Sequence, residues 1–565
     1  MPPLSRRTHM RRLHTLALLI VPALVACGGG RAAEPVAPAA GTAAAVTPAD
    51  LKRRTLVFAD DSMLGRRAGT AGNMRGNAYI AGELARLGLK PAGDSSSFFQ
   101  RVPLESHALD TSRTALQAGA TKLAPFADFF PYQQTFAVPV RPLDGAQIVY
   151  LGAAADSARW PAREALQGKL VVFRNAGDGN GIATPDLGPQ GRFGQVAGIA
   201  VTHIDPLLGQ FADYLRAPRI EVKETEPPAG VTQPRMLFVP TSSVAKIFGR
   251  PLDALTPGEA GPTLQGDVAY AAKPLSATNV VAVLEGSDPA LRGQYVALGA
   301  HNDAIGIVAP VDHDSLRAYN TVIRPRGAND TPREPTPDEA ARIKGMLDSL
   351  RRLRPGRVDS IVNGADDDGS GSMGLLELAE SLRGARPKRS LVFVWHTGEE
   401  SGLQGSRWFT DNPTVPRDSI VAQINIDMIG RGGAGDVPGG GPGYVEVLGA
   451  RRLSSELGTL VEQVNTDGKY GFALNYAFDA NGHPDQYYCR SDHANYARYG
   501  IPIVFFSTGS HRDYHQVTDE PEYLDYAKFA NVVRYVGALA GRVADLDHRL
   551  VVDQPKPDPK APCQQ

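Results

Sequence analysis

The pattern of hydrophobic and polar positions is clearest in the second half of the chain. From residue 279 onward, short apolar runs alternate with helical stretches; the runs lie at 280–284, 296–298, 391–395, 424–426 and 501–506. Each run is continuous instead of alternating with polar positions, which is typical of parallel strands buried on both faces. The pattern therefore predicts an α/β fold with a mostly parallel central sheet and helices on both faces.

A different pattern precedes residue 273, where short strand-like runs are separated by turns. This pattern predicts a compact β-rich unit. The predicted divisions of the chain are 48–143 and 273–548 for the α/β domain, 144–272 for the inserted β-rich unit and 549–565 for a C-terminal tail. Residues 305–360 carry no strand signal. We therefore expect an inserted loop there, with one helix near residues 337–353.

The first 27 residues have the pattern of an export signal. Four arginines lie between positions 6 and 12, an apolar run covers 16–25, and small residues precede Cys27. This order is typical of a bacterial lipoprotein signal peptide, in which Cys27 becomes the lipidated first residue; an ordinary secretory signal is the alternative. The Ala-, Pro- and Gly-rich segment 28–47 is then a linker. We expect an exported protein, in the periplasm or at the cell surface, that is lipid-anchored to the outer membrane.

Composition narrows the class of protein. The 565 residues include 59 Lys and Arg against 60 Asp and Glu, so no strong field attracts nucleic acid or anionic lipid. A hydrophobic fraction of 42% supports a large core and excludes general disorder. Three cysteines exclude a disulfide scaffold, although Cys489 and Cys563 can either pair in an oxidising compartment or stay free. A large, loop-rich enzyme is the class that remains.

Candidate metal ligands follow the predicted strands. Four apolar runs are each followed by His, Asp or Glu residues, namely His301 and Asp303, then His396, Glu399 and Glu400, then Asp427, and last His511 and His515. Asp367 lies in a loop that enters a predicted helix. The carboxyl ends of strands in an open α/β sheet meet at one crevice. Two histidines with several carboxylates suit zinc, and one carboxylate can bridge two ions. The sequence therefore predicts a di-zinc site at that edge.

The ordered set of polar blocks resembles the co-catalytic di-zinc aminopeptidases, which include aminopeptidase Y, bacterial leucyl aminopeptidases and, more distantly, glutamate carboxypeptidase and the transferrin receptor. The blocks are 65–70, 88–93, 301–303, 366–371, 399–406, 425–430, 491–493 and 514–515. The resemblance covers most of the chain. It implies a zinc-peptidase (phosphorylase/hydrolase-like) fold, and it implies that residues 144–272 are an inserted protease-associated domain.

The resemblance also implies two zinc ions per chain, held by one bridging carboxylate and four further ligands. The implied ligands are Asp367 as the bridge, His301 and Asp427 for one ion, and Glu400 and His515 for the other. Asp366 and Asp368 replace the asparagines that usually flank the bridging aspartate, and the alignment of the following Gly-Ser-Gly favours Asp367 as the bridge.

Three further residues receive catalytic roles. Asp303 is implied to hold the second ring nitrogen of His301, which would set the tautomer of that ligand. Glu399 matches the general base of the family, which takes a proton from water and returns it to the leaving amine. Tyr514 precedes a ligand, so its hydroxyl is expected either to stabilise the tetrahedral oxyanion or to sit on a ring that packs beneath the site.

Several competing motifs are rejected. Ser491, Asp492 and His493 are too close in sequence to form a serine hydrolase relay, and we predict a structural role for them. His396 is likewise predicted to be structural, because no one-zinc protease motif is present. A second Asn-Asp sequence at 327–330 lacks the Ser-Gly that opens a helix.

The sequence thus predicts a tethered zinc aminopeptidase that removes N-terminal residues from peptides, with zinc as cofactor. Peptides are its expected partners, and no binding of nucleic acid is expected. The protein is expected to contact the membrane only through a lipid anchor at Cys27. A carboxypeptidase or dipeptidase on the same scaffold is the first alternative. A non-catalytic receptor-like protein, or one that binds partners through the β-rich unit, is the second.

Overall fold

The computed structural model describes residues 41–565 apart from 134, 176–185, 187–189 and 224–229. The predicted signal peptide at 1–27 and most of the predicted linker lie outside the described residues. Within the described part, none of the helices combines the length and apolar character needed to cross a membrane.

The strands and helices are numbered in chain order. The strands are β1 (Lys90–Pro91), β2 (Phe99–Arg101), β3 (Leu104–Leu109), β4 (Ala115–Ala118), β5 (Thr121–Leu123), β6 (Phe130–Tyr132), β7 (Gln147–Gly152), β8 (Leu170–Arg174), β9 (Gly198–Thr202), β10 (Arg219–Val222), β11 (Arg235–Phe238), β12 (Glu259–Asp267), β13 (Tyr270–Pro274), β14 (Thr278–Leu284), β15 (Tyr295–His301), β16 (Gly306–Asp312), β17 (Val358–Val362), β18 (Ser390–His396), β19 (Ile420–Ile426), β20 (Tyr444–Leu448), β21 (Ala473–Asn475) and β22 (Ile503–Ser507). The helices are α1 (Pro48–Phe58), α2 (Ala71–Arg86), α3 (Arg163–Leu166), α4 (Asp205–Arg216), α5 (Thr241–Phe248), α6 (His313–Ile323), α7 (Pro337–Leu353), α8 (Gly369–Ser381), α9 (Gln404–Asp411), α10 (Ser455–Asp467), α11 (His493–Ala497) and α12 (Tyr526–Ala544).

The central sheet has the strand order β1-β14-β18-β15-β19-β22-β20-β21, with β2 also paired to β14. Strands β18, β15, β19 and β22 are parallel to their neighbours in this series, and the antiparallel strands β14 and β20 flank them. The predicted mostly parallel α/β sheet is confirmed.

Burial on both faces explains the continuous apolar runs. Along β14, Val280 and Ala282 pack into one core with α1, α2, α8, α10 and α12, whereas Val281 and Val283 pack into a second core with α9 and α11. Because successive strand residues point to opposite faces, both sets of positions must be apolar.

The β-rich unit begins earlier than predicted. Its eight-stranded sheet has the order β5-β4-β12-β7-β8-β9-β11-β6. The first strand of this sheet along the chain, β4, begins at Ala115, so the predicted start at residue 144 is wrong. Strands β4 to β6 have three or four residues each, which is too short for a recognisable pattern. A separate three-stranded sheet, β10-β3-β13, touches the α/β domain where the Val222 N–H donates to Gln404 Oε1 at 2.8 Å.

The insert at 305–360 also differs from the prediction. The expected helix is present as α7, which Thr336 and Glu339 begin with a capping box. The expectation of no strands is wrong, because β16 and β17 form an antiparallel pair that closes the insert. These strands gave no signal because Ile307 and Val358 lie on the surface. Near the C-terminus, Cys489 and Cys563 form a disulfide with an S–S distance of 2.09 Å.

Candidate metal centre

Four neighbouring parallel strands deliver the predicted residues to one edge of the sheet. His301 ends β15, Glu399 and Glu400 follow β18, Asp427 follows β19, and His515 lies in the loop after β22. The predicted convergence rests on this strand order, since each of these side chains leaves the carboxyl end of an adjacent strand.

Two clusters of metal-binding atoms lie side by side. Ligand atoms of Asp367, Glu400 and His515 are all within 4.8 Å of one another. The second cluster joins His301 with Asp427, whose Oδ1 is 3.7 Å from Nε2 of His301. Asp367 lies between the clusters: its Oδ1 is 3.1 Å from His301 Nε2, and its Oδ2 is 3.0 Å from His515 Nε2. The five predicted ligands therefore meet around one carboxylate.

The three consecutive aspartates separate into different roles. Asp368 accepts hydrogen bonds from the backbone N–H groups of His301, Gly371 and Met428, so it caps α8 and its oxygens are occupied. Asp366 accepts the Gly430 N–H at 2.7 Å, and its other oxygen lies 3.1 Å from His511 Nε2.

By contrast, the two carboxylate oxygens of Asp367 face the ring nitrogens of His301 and His515. Asp368 also lies close to His301 and Asp427. The backbone hydrogen bonds to both oxygens of Asp368 nevertheless favour Asp367, which lies between His301 and His515, as the bridging ligand.

Asp303 contacts His301 mainly through its backbone. The Nδ1 atom of His301 is 3.1 Å from the carbonyl oxygen of Asp303 and 3.6 Å from its carboxylate. That carboxylate accepts the Glu399 N–H at 3.1 Å. Asp303 therefore links the first ligand to the predicted base as well as holding the imidazole.

Glu399 lies beside the two clusters, and its carboxylate is farther from His301 than the carboxylates of Asp367 and Asp427 are. Its Oε2 is 3.9 Å from His301 Nε2. Burial raises the pKa of Glu399 well above its ordinary value, and the charges of Glu400 and Asp427 raise it further, against the opposing effect of His301. A carboxyl group with a raised pKa is suited to take and return a proton near neutral pH.

Tyr514 packs against His515 and also lines the cavity. Its ring stacks on His515 with a centroid separation of 3.9 Å. Its hydroxyl oxygen accepts a hydrogen bond from Arg490 Nη2 at 3.2 Å, and the ring lines the cavity beside Glu399. Because arginine can only donate, the hydroxyl hydrogen of Tyr514 remains available to a negative oxygen in the cavity.

The donor set fits a divalent cation. Burial disfavours a charged His515, yet the charge of Glu400 and the hydrogen bond with Asp367 outweigh burial and raise its pKa to about 10. The cluster therefore attracts positive charge. Glu400 Oε1 is buried without a hydrogen bond. Carboxylate oxygens with imidazole nitrogens are the ligands that zinc accepts.

The rejected serine hydrolase motif has a supporting role. The Ser491 hydroxyl donates to Asp427 Oδ2 at 2.7 Å, and Asn425 Nδ2 donates to the Ser491 oxygen at 2.9 Å. Asp492 pairs with His396, whose other nitrogen is 3.0 Å from the Tyr496 hydroxyl. The structure places these residues behind the candidate ligands, where they orient Asp427 and support the end of β18.

Residues 279–540, which hold all the candidate ligands, match the model of peptidase family M28. Residues 279–540 form an M28 peptidase domain. The predicted family is thus confirmed, and the M28 domain coincides with the part of the chain that forms most of the central sheet.

Two curated relatives show similarity over part of their length. Leupeptin-inactivating enzyme 1 from Streptomyces exfoliatus is 29% identical over 193 residues, which cover 33% of this chain and 36% of the relative. A probable leucine aminopeptidase from Arthroderma benhamiae is 27% identical over 237 residues, which cover 35% of this chain and 58% of the relative. The chain therefore spans between about a third and three-fifths of these relatives.

A solved structure extends the likeness of fold beyond the M28 domain. The aminopeptidase from Aneurinibacillus sp. strain AM-1 aligns with 91% of this chain and 97% of its own length, with a TM-score of 0.50 and 16% identity. At this identity the match shows a shared fold.

Sequence reasoning missed two residues that shape the M28 site. The fully buried Arg66 donates to the carbonyls of Phe58, Asn363 and Gly364, which fixes the loop that leads into the aspartate triplet. Arg66 lies in the block 65–70, but the sequence alone does not indicate its partners.

Asn329 comes from the rejected Asn-Asp sequence in the insert. Its Nδ2 donates to Ser510 Oγ at 2.7 Å, and its Oδ1 accepts from Arg490 at 3.0 Å. The insert therefore supports the wall that holds Tyr514. No local sequence pattern indicates that Asn329 binds Arg490, because the two residues are distant in sequence.

Proposed function

We propose that this M28 protein is a zinc-dependent aminopeptidase that hydrolyses the first peptide bond of peptides with a free α-amine. The observation that carries the proposal is the Asp367 carboxylate between two histidine–carboxylate clusters, in a cavity that also contains Glu399. The aminopeptidase names of two of the proteins compared above support the same activity.

The residues divide the work as follows. His301, Asp367, Glu400, Asp427 and His515 would hold two zinc ions. Bound zinc supplies an acidified water and polarises a carbonyl group.

The protein's own side chains move the proton and position the substrate. Glu399 accepts a proton from the attacking water and then delivers it to the nitrogen of the departing amine. Tyr514 donates its hydroxyl hydrogen to the oxygen that becomes negative in the tetrahedral intermediate, and Arg490 holds that hydroxyl in place. Their positions in the wall of one cavity allow these roles to operate on the same bond.

Hydrolysis of paired peptides tests the proposal. A peptide with a free α-amine should be shortened from its N-terminus, and the same peptide with an N-acetyl group should be spared, because acetylation removes the charge of the amine and adds bulk. Product masses measured over time distinguish the outcomes. Equal cleavage of both peptides would contradict an aminopeptidase, and release of C-terminal residues would favour the carboxypeptidase alternative.

We further propose that the protein is exported and lipid-anchored through Cys27. The support is the order of charged, apolar and small residues over 1–27. Replacement of Cys27 by Ser should therefore move the protein from the membrane fraction to the soluble fraction when cells are fractionated. Unchanged membrane association of the variant would contradict the anchor, and a Ser5→Ala variant serves as the control that leaves the cysteine intact.

A further inference from the structure

The cavity beside the candidate metal ligands contains a carboxylate that the proposed reaction does not use. Glu446 forms part of the wall of this cavity together with Met428, Tyr487 and Phe505. Glu446 is only 3% exposed. A buried carboxylate is costly unless it is paired, so its presence in a substrate cavity calls for a positively charged partner.

The Glu446 side chain is held in position by its neighbours. Its Oε1 accepts the Tyr444 hydroxyl at 2.7 Å, and that hydroxyl in turn accepts Asn475 Nδ2 at 3.0 Å. Among the described residues, Oε2 has no hydrogen-bond donor and no basic side chain forms an ion pair with Glu446. One carboxylate oxygen is therefore anchored, and the other is left for a ligand.

The nearby basic groups are already engaged elsewhere. Lys528 Nζ donates to the Gly432 carbonyl at 2.9 Å and attracts Glu446 only at longer range. Arg490 Nη2 donates to the Tyr514 hydroxyl and to Asn329. Burial raises the pKa of Glu446 to about 7, despite the hydrogen bond from Tyr444 and the charge of Lys528. A cation in the cavity would reverse that shift and stabilise the ionised carboxylate.

The strand register gives an approximate distance between Glu446 and the candidate metal ligand Asp427. Asp427 follows Ile426, which is paired with Phe506, and the next residue, Ser507, is paired with Glu446 on β20. Two strand spacings place the backbone of Glu446 roughly 10 Å from that of Asp427. In the N-terminal residue of a substrate, only the α-carbon separates the α-amine from the scissile carbonyl carbon, so the α-amine stays close to the reacting bond. A lysine or arginine side chain reaches much further, and its aliphatic stem can pack on Met428 and Phe505.

We propose that Glu446 is a specificity-determining residue that binds the charged end of an N-terminal lysine or arginine side chain. The proposal rests on the proposed aminopeptidase function and names its preferred substrate class: peptides with a basic first residue. Met428, Tyr487 and Phe505 enclose the aliphatic stem, and the free oxygen of Glu446 accepts hydrogen bonds from the ammonium or guanidinium group.

Amide substrates that differ only in the first side chain test this assignment. The p-nitroanilides of lysine and norleucine share the same carbon stem, and lysine adds the ammonium group. The wild-type kcat/KM should be at least about 10-fold higher for the lysine compound, since a hydrogen bond to a charged group is worth this much or more. Arginine p-nitroanilide should behave like lysine p-nitroanilide.

Glu446→Gln should lower the lysine-to-norleucine ratio of kcat/KM by about 10- to 100-fold, because the amide keeps the shape and loses the charge. Tyr444→Phe is the matched control: it removes one hydrogen bond and keeps the charge, so the ratio should fall much less. An unchanged ratio in Glu446→Gln overturns the assignment. An equal loss of kcat/KM for both substrates also overturns the assignment, because Glu446 would then act on a part of the substrate that both compounds share.

If the Glu446→Gln variant does not fold, the lysine-to-norleucine ratio of kcat/KM of the wild-type protein still tests the proposal. Equal rates for lysine and norleucine substrates contradict the role of Glu446 and leave the aminopeptidase proposal standing. No cleavage of any of these amides with free α-amines contradicts the proposed function itself.

Discussion

Replacement of Glu399 by Gln should lower kcat by about 10²–10⁴-fold while the protein keeps its fold and its bound zinc. Glu399 lies 3.9 Å from His301 Nε2, outside the closest contacts of the two ligand clusters. Glutamine keeps the size of the side chain and cannot accept the proton of the attacking water. The change therefore removes proton transfer and leaves the ligands in place.

Steady-state kinetics with a free-amine peptide, together with zinc analysis of the same preparation, measure this effect. Glu522→Gln provides a matched control, because Glu522 is an exposed carboxylate in the same domain. It should show unchanged kcat and zinc content. Full activity in Glu399→Gln would remove the proposed mechanism, and a loss of zinc would show that Glu399 is a ligand instead of a base.

Replacement of Glu400 by Gln should remove both activity and at least half of the bound zinc. Glu400 Oε2 is 2.9 Å from His515 Nε2, and its Oε1 is buried without a hydrogen bond. The charge of Glu400 also belongs to the negative field that raises the pKa of His515. An amide in this place supplies no charge, so the cluster around His515 would bind a divalent cation much more weakly.

The adjacent Glu399→Gln variant is the natural comparison, since both changes are isosteric and differ by one position. Zinc measured after dialysis at equal protein concentration should separate them. Full retention of zinc by Glu400→Gln would contradict its assignment as a ligand.

The central sheet was predictable because its strands are buried on both faces. Val280 and Val281 face opposite cores, so the run around them carries no polar residue. The strands of the insert lack this constraint: Ile307 is 59% and Val358 is 73% exposed, and no pattern marks them. Sequence patterns therefore revealed the strands that position the site and missed those at the surface.

The candidate ligands were predictable because each follows the end of a strand or opens a helix. The roles of the neighbours of Asp367 were not, because the backbone N–H groups that donate to Asp368 come from His301 and Met428 as well as from its own helix. Glu446 was missed for a related reason. It lies within β20, and only the pairing with Ser507 brings it into the cavity.

The zinc content of the purified wild-type protein tests the central claim most directly. Metal analysis by mass spectrometry should find about two zinc equivalents per chain in active enzyme, and a chelator should remove zinc and activity together. Activity should return when zinc is restored. Near-zero bound metal in a fully active preparation would contradict the account.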